Sequence, residues 1–228
     1  MKKLKIGILG SSGRMGQEVQ TVIVASGHLL GPQLSSKNFK KFLSDKKNPG
    51  VDVWIDFSTP EVLITFLSHL DQFPAALVSG TTGISNQLMS ELKKRSKKSS
   101  VFWAPNMSIG IAIVTQMIES FKALNDFDFQ IDEAHHKHKK DSPSGTAILL
   151  QNKLQEVVGK KKLPKPLSTR GGGVYGVHRI QALSDEEVIS IKHTALNRQV
   201  FAKGALWAAL KINSLKPGFY EMKDLLNL

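Results

Sequence analysis

The sequence predicts an α/β protein in two parts: a doubly wound parallel sheet, and an α+β unit built on an open mixed sheet. Three observations predict it. Short apolar runs alternate with helix-spaced stretches up to about Asn106, and each run closes in Gly, Ser, Thr or Asn. The first run leads straight into glycines at positions 7, 10, 13 and 16. Beyond Asn106 the order changes, to a long helical pattern followed by extended segments and further helices.

The elements follow in order. "KIGIL" (Lys5 to Leu9) reads as a strand, the glycines as a tight turn and "RMGQEVQTVIVAS" as a helix with apolar residues on one face. A second strand is expected over His28 to Leu34 and a third over Val51 to Phe57, where Ser58 or Thr59 can cap a helix carrying Pro60 and Glu61 in its first turn. "AALVSG" is the fourth strand, "SNQLMSELKKRSKK" its helix, and "SSVFWAP" the fifth strand, ending at Asn106. In the second part, "SIGIAIVTQMIESFKAL" reads as one long helix, "FDFQIDEAHH" as a strand and "TAILLQNKLQEVVG" as a helix. "STRGGGVYGVHRIQAL" and "EEVISIKHTAL" are extended, and "FAKGALWAALKI" is a final helix able to pack in either part.

Composition narrows the function classes. The chain of 228 residues is long enough for a substantial core, and no run of about 20 apolar residues escapes interruption, so no membrane span is expected. The lysines of "MKKLKIGILGSSG" precede an apolar run too short for a signal peptide. Zero cysteines remove disulfides, thiolate metal sites and a thiol nucleophile, which fits a reducing, cytoplasmic setting. A net charge of +12 suits either a nucleic-acid binder or an enzyme handling anionic small molecules. The cations gather at Lys93 to Lys98, Lys137 to Lys140 and Lys160 to Lys165 with few aromatic residues between them, unlike a groove that stacks bases.

The glycine turn is the first candidate site. Gly10, Ser11, Ser12, Gly13, Arg14 and Met15 follow a strand and open a helix, the context in which backbone amides hold a pyrophosphate; a purely structural turn is the alternative. Dinucleotide folds of this Rossmann-like kind place an acid about 20 residues beyond the glycines, to accept the ribose hydroxyls. Here no acid stands between Glu18 and Asp45, and the second strand ends in Ser35, Ser36 and Lys37, followed by Lys40 and Lys41. Hydroxyls and cations there would receive a 2′-phosphate, which points to NADPH with NADH admissible; the alternative is an exposed basic loop.

The second candidate is "EAHHKHKKDSPSGTA", Glu133 to Ala147. Three readings compete. A metal site from Glu133, His135, His136 and His138 is opposed by strand geometry, which sends Glu133 and His135 to one face and His136 and His138 to the other, and by Lys137, Lys139 and Lys140. A solvated basic loop is the second. The third joins anion binding to proton transfer: Ser144 precedes an apolar helical run, Gly145 and Thr146 fall in its first turn with amides expected to be unpaired, and a histidine beside a lysine can exchange protons. That arrangement would seat a carboxylate beside a proton donor.

With the glycine turn, "SGTTG", "APNMSIG", "EAHHKHKKDSPSGTA", "STRGGGVYGVH" and "NRQVFAKGALWAAL" in this order, the chain resembles the 4-hydroxy-tetrahydrodipicolinate (dihydrodipicolinate) reductases nearly end to end. The resemblance implies reduction of a cyclic imine dicarboxylate by NADPH or NADH in diaminopimelate and lysine biosynthesis. It implies His135 as proton donor and acceptor and Lys139 as a second proton donor; on the strand geometry and the lysines above, no metal is expected. It further implies His136 and the amides of Gly145 and Thr146 as substrate contacts, and Gly10 to Met15, Gly80, Thr81, Thr82, Ala104, Pro105, Asn106 and Met107 as cofactor contacts. A cofactor domain of residues 1–106 and 198–228, a substrate domain of residues 107–197 and a homotetramer also follow from it. The sequence departs from the family at Ser12, where a glycine is usual, at Ser35 and Ser36 in place of the usual acidic or acid-basic pair, and at Gly173 in place of Asp, with shortened segments around that motif. The rival class is a basic regulatory or nucleic-acid-binding protein on a nucleotide fold; a different oxidoreductase for acidic substrates is a third.

Overall fold

The computed structural model of the chain describes residues 2–45, 47–72, 74–124, 126–159 and 163–227. Lys160 to Lys162, half of the third basic cluster, lie outside the described residues. The chain forms two compact units, residues 1–108 with 199–228, and residues 109–198.

The first unit holds a six-stranded, all-parallel sheet in the order β10-β5-β4-β3-β1-β2. Its strands are β1 (Lys5–Leu9), β2 (Leu29–Leu34), β3 (Val53–Asp56), β4 (Ala76–Ser79), β5 (Ser100–Trp103) and β10 (Gly218–Tyr220). Strands covered on both faces read as continuous apolar runs, and β3 and β4 are buried at every position. The period-2 pleat divides them between two cores. Ile6, Ile8, Val53, Ile55 and Val78 meet Val19 and Ile23 of α1 (Arg14–Ala25) and Ala205 and Ala209 of α7 (Gln199–Ile212). On the opposite face Leu9, Trp54, Leu77 and Val101 meet Leu63 and Phe66 of α3 (Pro60–Leu70) and Leu88 and Leu92 of α4 (Asn86–Arg95).

Three elements of this unit go beyond the sequence pattern: α2 (Phe39–Ser44), β10 and α8 (Met222–Leu226). The last is opened by a capping box in which Glu221 and Asp224 serve each other's backbone amides. The cap foreseen for α3 is different from expectation. Thr59 stands at the N-cap without a side-chain capping bond, its side chain bonding the Glu61 carboxylate, and Ser58 turns instead to Asp56.

The second unit holds a four-stranded mixed sheet in the order β7-β6-β8-β9, formed by β6 (Asp128–His135), β7 (Leu167–Arg170), β8 (Gly176–Leu183) and β9 (Val188–Ala195). β6 runs parallel to β7 and antiparallel to β8, and β8 antiparallel to β9. Against one face lie α6 (Gly145–Val158) and the segment foreseen as one long helix. That segment is α5 (Ile109–Met117) followed by a 3₁₀ stretch, Ile118–Ala123, a tightening common at helix ends. The extended stretch "STRGGGVYGVHRIQAL" divides at its glycines into β7 and β8.

The inner face of β6 changes character along its length. Phe129 and Ile131 enter the apolar core, opposite Ala182 and Ile180 of β8. Two and four residues on, the same face presents Glu133 and His135, both buried. The pleat that makes the core therefore also carries a carboxylate and an imidazole into the interior at the strand's carboxyl end.

Candidate active site

In the first unit the turn after β1 is fastened by the amides of Gly10 and Ser11, which both donate to the Leu34 carbonyl at 2.9 Å. Gly10 has φ +85°, a left-handed conformation that favours glycine. A Cβ on Gly16 would sit 2.2 Å from the Gly10 carbonyl oxygen, so the helix can approach the turn only without a side chain there. α1 starts at Gly13 with no side-chain cap, and its first-turn amides receive no acceptor from that residue. Beside it lies a cavity of about 450 Å³ lined by Gly10, Ser12, Gly13, Ser35, Ser36 and Lys40, with Leu9, Leu34, Phe39 and Phe57 as its apolar wall. These are the features a dinucleotide needs: close backbone, a bare helix start and a flat apolar slot.

The sequence-derived cofactor residues divide by their placement. Gly10, Ser12, Gly13, Ser35 and Ser36 come together at the cavity, and the cation lining it is Lys40, while Lys37 is exposed outside it. Ser11 is buried, Arg14 exposed, and Met15 half-buried against the core. Ala104 and Met107 are core residues with only backbone to offer, whereas Thr82 and Pro105 are exposed and Gly80 and Asn106 half-buried. Thr81 is committed to the protein: its hydroxyl donates to Asp56 at 2.7 Å, and its carbonyl accepts the Trp103 indole N–H at 3.0 Å.

Asp56 is the fully buried centre of this strand-end network. It also accepts the hydroxyls of Ser79 (2.6 Å) and Ser58 (2.5 Å) and the Ser58 amide (2.9 Å). Burial raises its pKa above the usual carboxylate value, and the four hydrogen bonds only partly offset that.

In the second unit the carboxyl end of β6 is organised around Glu133, whose side chain is fully enclosed. Arg170 reaches it from the neighbouring strand with both terminal nitrogens, at 2.6 and 3.0 Å, and is itself anchored on the carbonyls of Asp141 and Thr169. The Ser144 amide donates to the same carboxylate at 3.2 Å. His135 Nδ1 is hydrogen-bonded to Glu133 Oε2. Burial alone would push Glu133 upward; the bonds from Arg170, Ser168 and His135 outweigh it and hold the carboxyl at about 2.

Around this pair the remaining groups take defined positions. His178 sits edge-on to His135 with ring centroids 5.1 Å apart, and its Nε2 is 3.1 Å from the Ser144 hydroxyl, which caps α6 by accepting the Ala147 amide at 3.2 Å. Burial, reinforced by the charge of His135, depresses His178 to about 4. Burial also lowers His135, against the raising effect of Glu133. Lys139 pairs with Asp141 at 2.8 Å, and the Gly145 amide donates to that same carboxylate. His136 is half-buried beside the exposed His138, ring centroids 6.2 Å apart.

This corrects the expectation of unpaired amides at the start of α6. The Gly145 amide already carries a carboxylate, Asp141, which Lys139 shares. Glu133, His135 and His178 have ligand atoms within 4.8 Å of one another, as a metal would require. Both Glu133 oxygens are nevertheless bonded to the Arg170 guanidinium, a fixed cation where a metal ion's charge would have to go. Arg170 and His178 were not among the residues singled out from sequence. Their signal was indirect: the alternation of "FQIDEAH" puts Glu133 on the apolar face, and a buried carboxylate requires a counter-charge.

The glycine turn, bare helix start and strand-end cavity of the first unit define a Rossmann-type dinucleotide-binding oxidoreductase class. Two family models divide the chain between them: "Dihydrodipicolinate reductase, N-terminus" matches residues 4–107 and "Dihydrodipicolinate reductase, C-terminus" matches residues 110–226. Among curated relatives, a 4-hydroxy-tetrahydrodipicolinate reductase of Bdellovibrio bacteriovorus is 49% identical over 228 residues, covering 99% of this chain and 97% of the relative. One from Thermosipho africanus is 39% identical over 224 residues, with 98% of each chain covered. The dipicolinate-bound dihydrodipicolinate reductase of Paenisporosarcina sp. TG-14 has the same fold, with TM-score 0.82 at 21% identity over 96% of this chain and 98% of that one. The chain belongs to the dihydrodipicolinate reductase family. No helix among the described residues is long and apolar enough to cross a membrane.

The buried histidines set an acid limit on stability. The unfolded chain takes a proton on His178 near pH 6.5 and the folded chain only near pH 4, so the unfolded state binds more protons throughout that window. Stability therefore falls as pH drops through it, by about 2–3 kcal/mol from this one group. Denaturant unfolding of the protein and of His178→Gln between pH 7 and pH 4 should show a shallower loss in the variant; parallel curves would place the acid sensitivity elsewhere.

Proposed function

We propose that this protein reduces 4-hydroxy-tetrahydrodipicolinate to tetrahydrodipicolinate in the pathway to diaminopimelate and lysine, consuming one hydride from a reduced nicotinamide dinucleotide and one proton while the 4-hydroxyl leaves as water. Membership of the family over nearly the whole chain favours this over a nucleic-acid-binding or regulatory role. The observation that carries the chemistry is the occupied seat at α6: Lys139 and the Gly145 amide hold a carboxylate, that of Asp141. A dicarboxylate substrate asks for the same donors, and Asp141, whose side chain is 56% exposed, can give them up by turning to solvent.

The residues then take these roles. His136, Ser144, Gly145 and Thr146 line the substrate seat, and Lys139 neutralises a carboxylate and donates a proton. Burial first, then the cations Lys139 and Arg170, outweigh the raising effect of Glu133 and lower the pKa of His135, favouring the neutral form in the free protein. A bound dianion beside it favours that form, so the imidazole takes up a proton as substrate arrives and passes it on during reduction. When bound, the nicotinamide supplies the hydride. Gly10, Ser12 and Gly13 hold its pyrophosphate, and Gly80, Thr82, Pro105 and Asn106 border its ring. Ser35, Ser36 and Lys40 receive a 2′-phosphate, which makes NADPH the preferred donor and NADH a weaker one. Exposed Leu167 and Val188 on the outer strands of the mixed sheet support a homotetramer joined through those sheets.

Nicotinamide oxidation with freshly made substrate tests the assignment. His135→Gln should slow turnover by about two orders of magnitude, and Lys139→Ala should also cripple it; full activity in both would reject these roles. Lys40→Glu should shift the NADPH-to-NADH ratio of kcat/KM toward NADH by about tenfold, the loss of one charge-assisted bond and its replacement by a repulsion. An unchanged ratio would show that Lys40 does not meet the phosphate.

A further inference from the structure

Glu133 lies beyond any role that substrate contact requires, because its carboxylate is enclosed and its oxygens are turned to protein donors. We propose that Glu133 is a positioning residue that fixes His135 in the Nδ1–H tautomer, so that Nε2 is the atom that exchanges the proton, and that Arg170 locks Glu133 in this role. The proposal rests on the reading of His135 as the proton-transferring group.

The reasoning is one of donors and acceptors. An ionised carboxylate can only accept, and the two-pronged bond from Arg170 keeps Glu133 ionised. The nitrogen bonded to it, Nδ1 of His135, must therefore carry the hydrogen. Nε2 is left as the free acceptor of the neutral ring, near Gly176, where an added Cβ would lie only 3.0 Å from it. Each neighbouring element contributes one facing group: Arg170 from β7, His178 from β8 and Lys139 from the loop after β6, with His193 of β9 paired across from His178. His178 is turned to Ser144 and does not compete for Nδ1. Arg170 and Lys139 both oppose a charged imidazole, so Glu133 is the group that brings protonation within reach.

The register makes this a property of the fold. His135 faces Arg170 across the parallel β6–β7 ladder, and the ladder continues past the strand ends through the Gly171 amide, which donates to the His135 carbonyl at 2.9 Å. Backbone and side chain of His135 are thus held by the same partner segment.

Nitrogen-15 NMR of the imidazoles, assigned with His135→Gln, reads the tautomer in the wild-type protein without any destabilising change. Hydrogen on Nδ1 is expected, and hydrogen on Nε2 would overturn the proposal. Glu133→Gln keeps an acceptor for Nδ1–H but removes the charge. It should move the titration of His135 to lower pH and reduce kcat at least tenfold, and should weaken dipicolinate binding near pH 7 only as far as the proton taken up on binding becomes harder to hold, a loss that shrinks as pH falls. Glu133→Asp should recover part of the rate. A Glu133→Gln protein with the wild-type pH profile and kcat would overturn the proposal, as would a loss confined to dipicolinate affinity. If Glu133→Gln does not fold, the wild-type tautomer decides. Absence of reductase activity in the wild type would instead strike the functional reading, and the NMR result would distinguish the two failures.

Discussion

A carboxylate buried at the end of an apolar strand face is the constraint on which the second unit depends. Glu133 follows Phe129 and Ile131 on the inward side of β6, so the alternation that builds the core also delivers a charge into it. Such a charge is tolerated only when paired and fully hydrogen-bonded, and removing its partner would leave it stranded at a cost of about 3–5 kcal/mol. The partner comes from a different segment, Arg170, which ties β7 to β6 in parallel register. The amide of Ser144 completes the shell and fixes where α6 begins. One ion pair thereby sets the strand register, the helix start and the orientation of His135.

The first unit solves a similar problem by neutral means. Asp56, also at the carboxyl end of a strand, is surrounded by the hydroxyls of Ser58, Ser79 and Thr81, with no cation bonded to it among the described residues. Its pKa is raised where that of Glu133 is lowered, and the difference follows from the partners: hydroxyls and an amide only partly make up for lost hydration, whereas with a guanidinium the bonds outweigh it. Asp56 thus joins the ends of β3 and β4 below the Gly80–Thr82 turn. Thr81 is part of that scaffold, whereas the flanking Gly80 is half-buried and Thr82 exposed.

Much of this was legible in the sequence, for physical reasons that differ by element. The parallel strands were readable because burial on both faces demands short, largely apolar runs, and "VDVWIDF", through Val53 to Ile55, and "AALVSG" supply them. The glycine turn was readable because close backbone approach leaves no substitute for glycine at position 16. The short α2 and α8 were not, since six and five residues carry too little periodicity to register. At the site, His135 and Lys139 stood out because charge density is a local signal. Arg170 and His178 did not, because they reach Glu133 and Ser144 through strand pairing over separations of 37 and 34 residues. Asp141 was hidden for another reason: a carboxylate among lysines reads as solvated charge until its placement on Gly145 is seen.

In the proposed reaction, burial favours the uncharged form of His135 until an anion arrives beside it. Calorimetric titration of dipicolinate into the protein near pH 7, repeated in buffers of different ionisation enthalpy, counts the protons that binding takes from solution. Net uptake approaching one proton per site, lost in His135→Gln, is the result this account predicts. Binding of the dianion with no proton uptake in the wild type would contradict it.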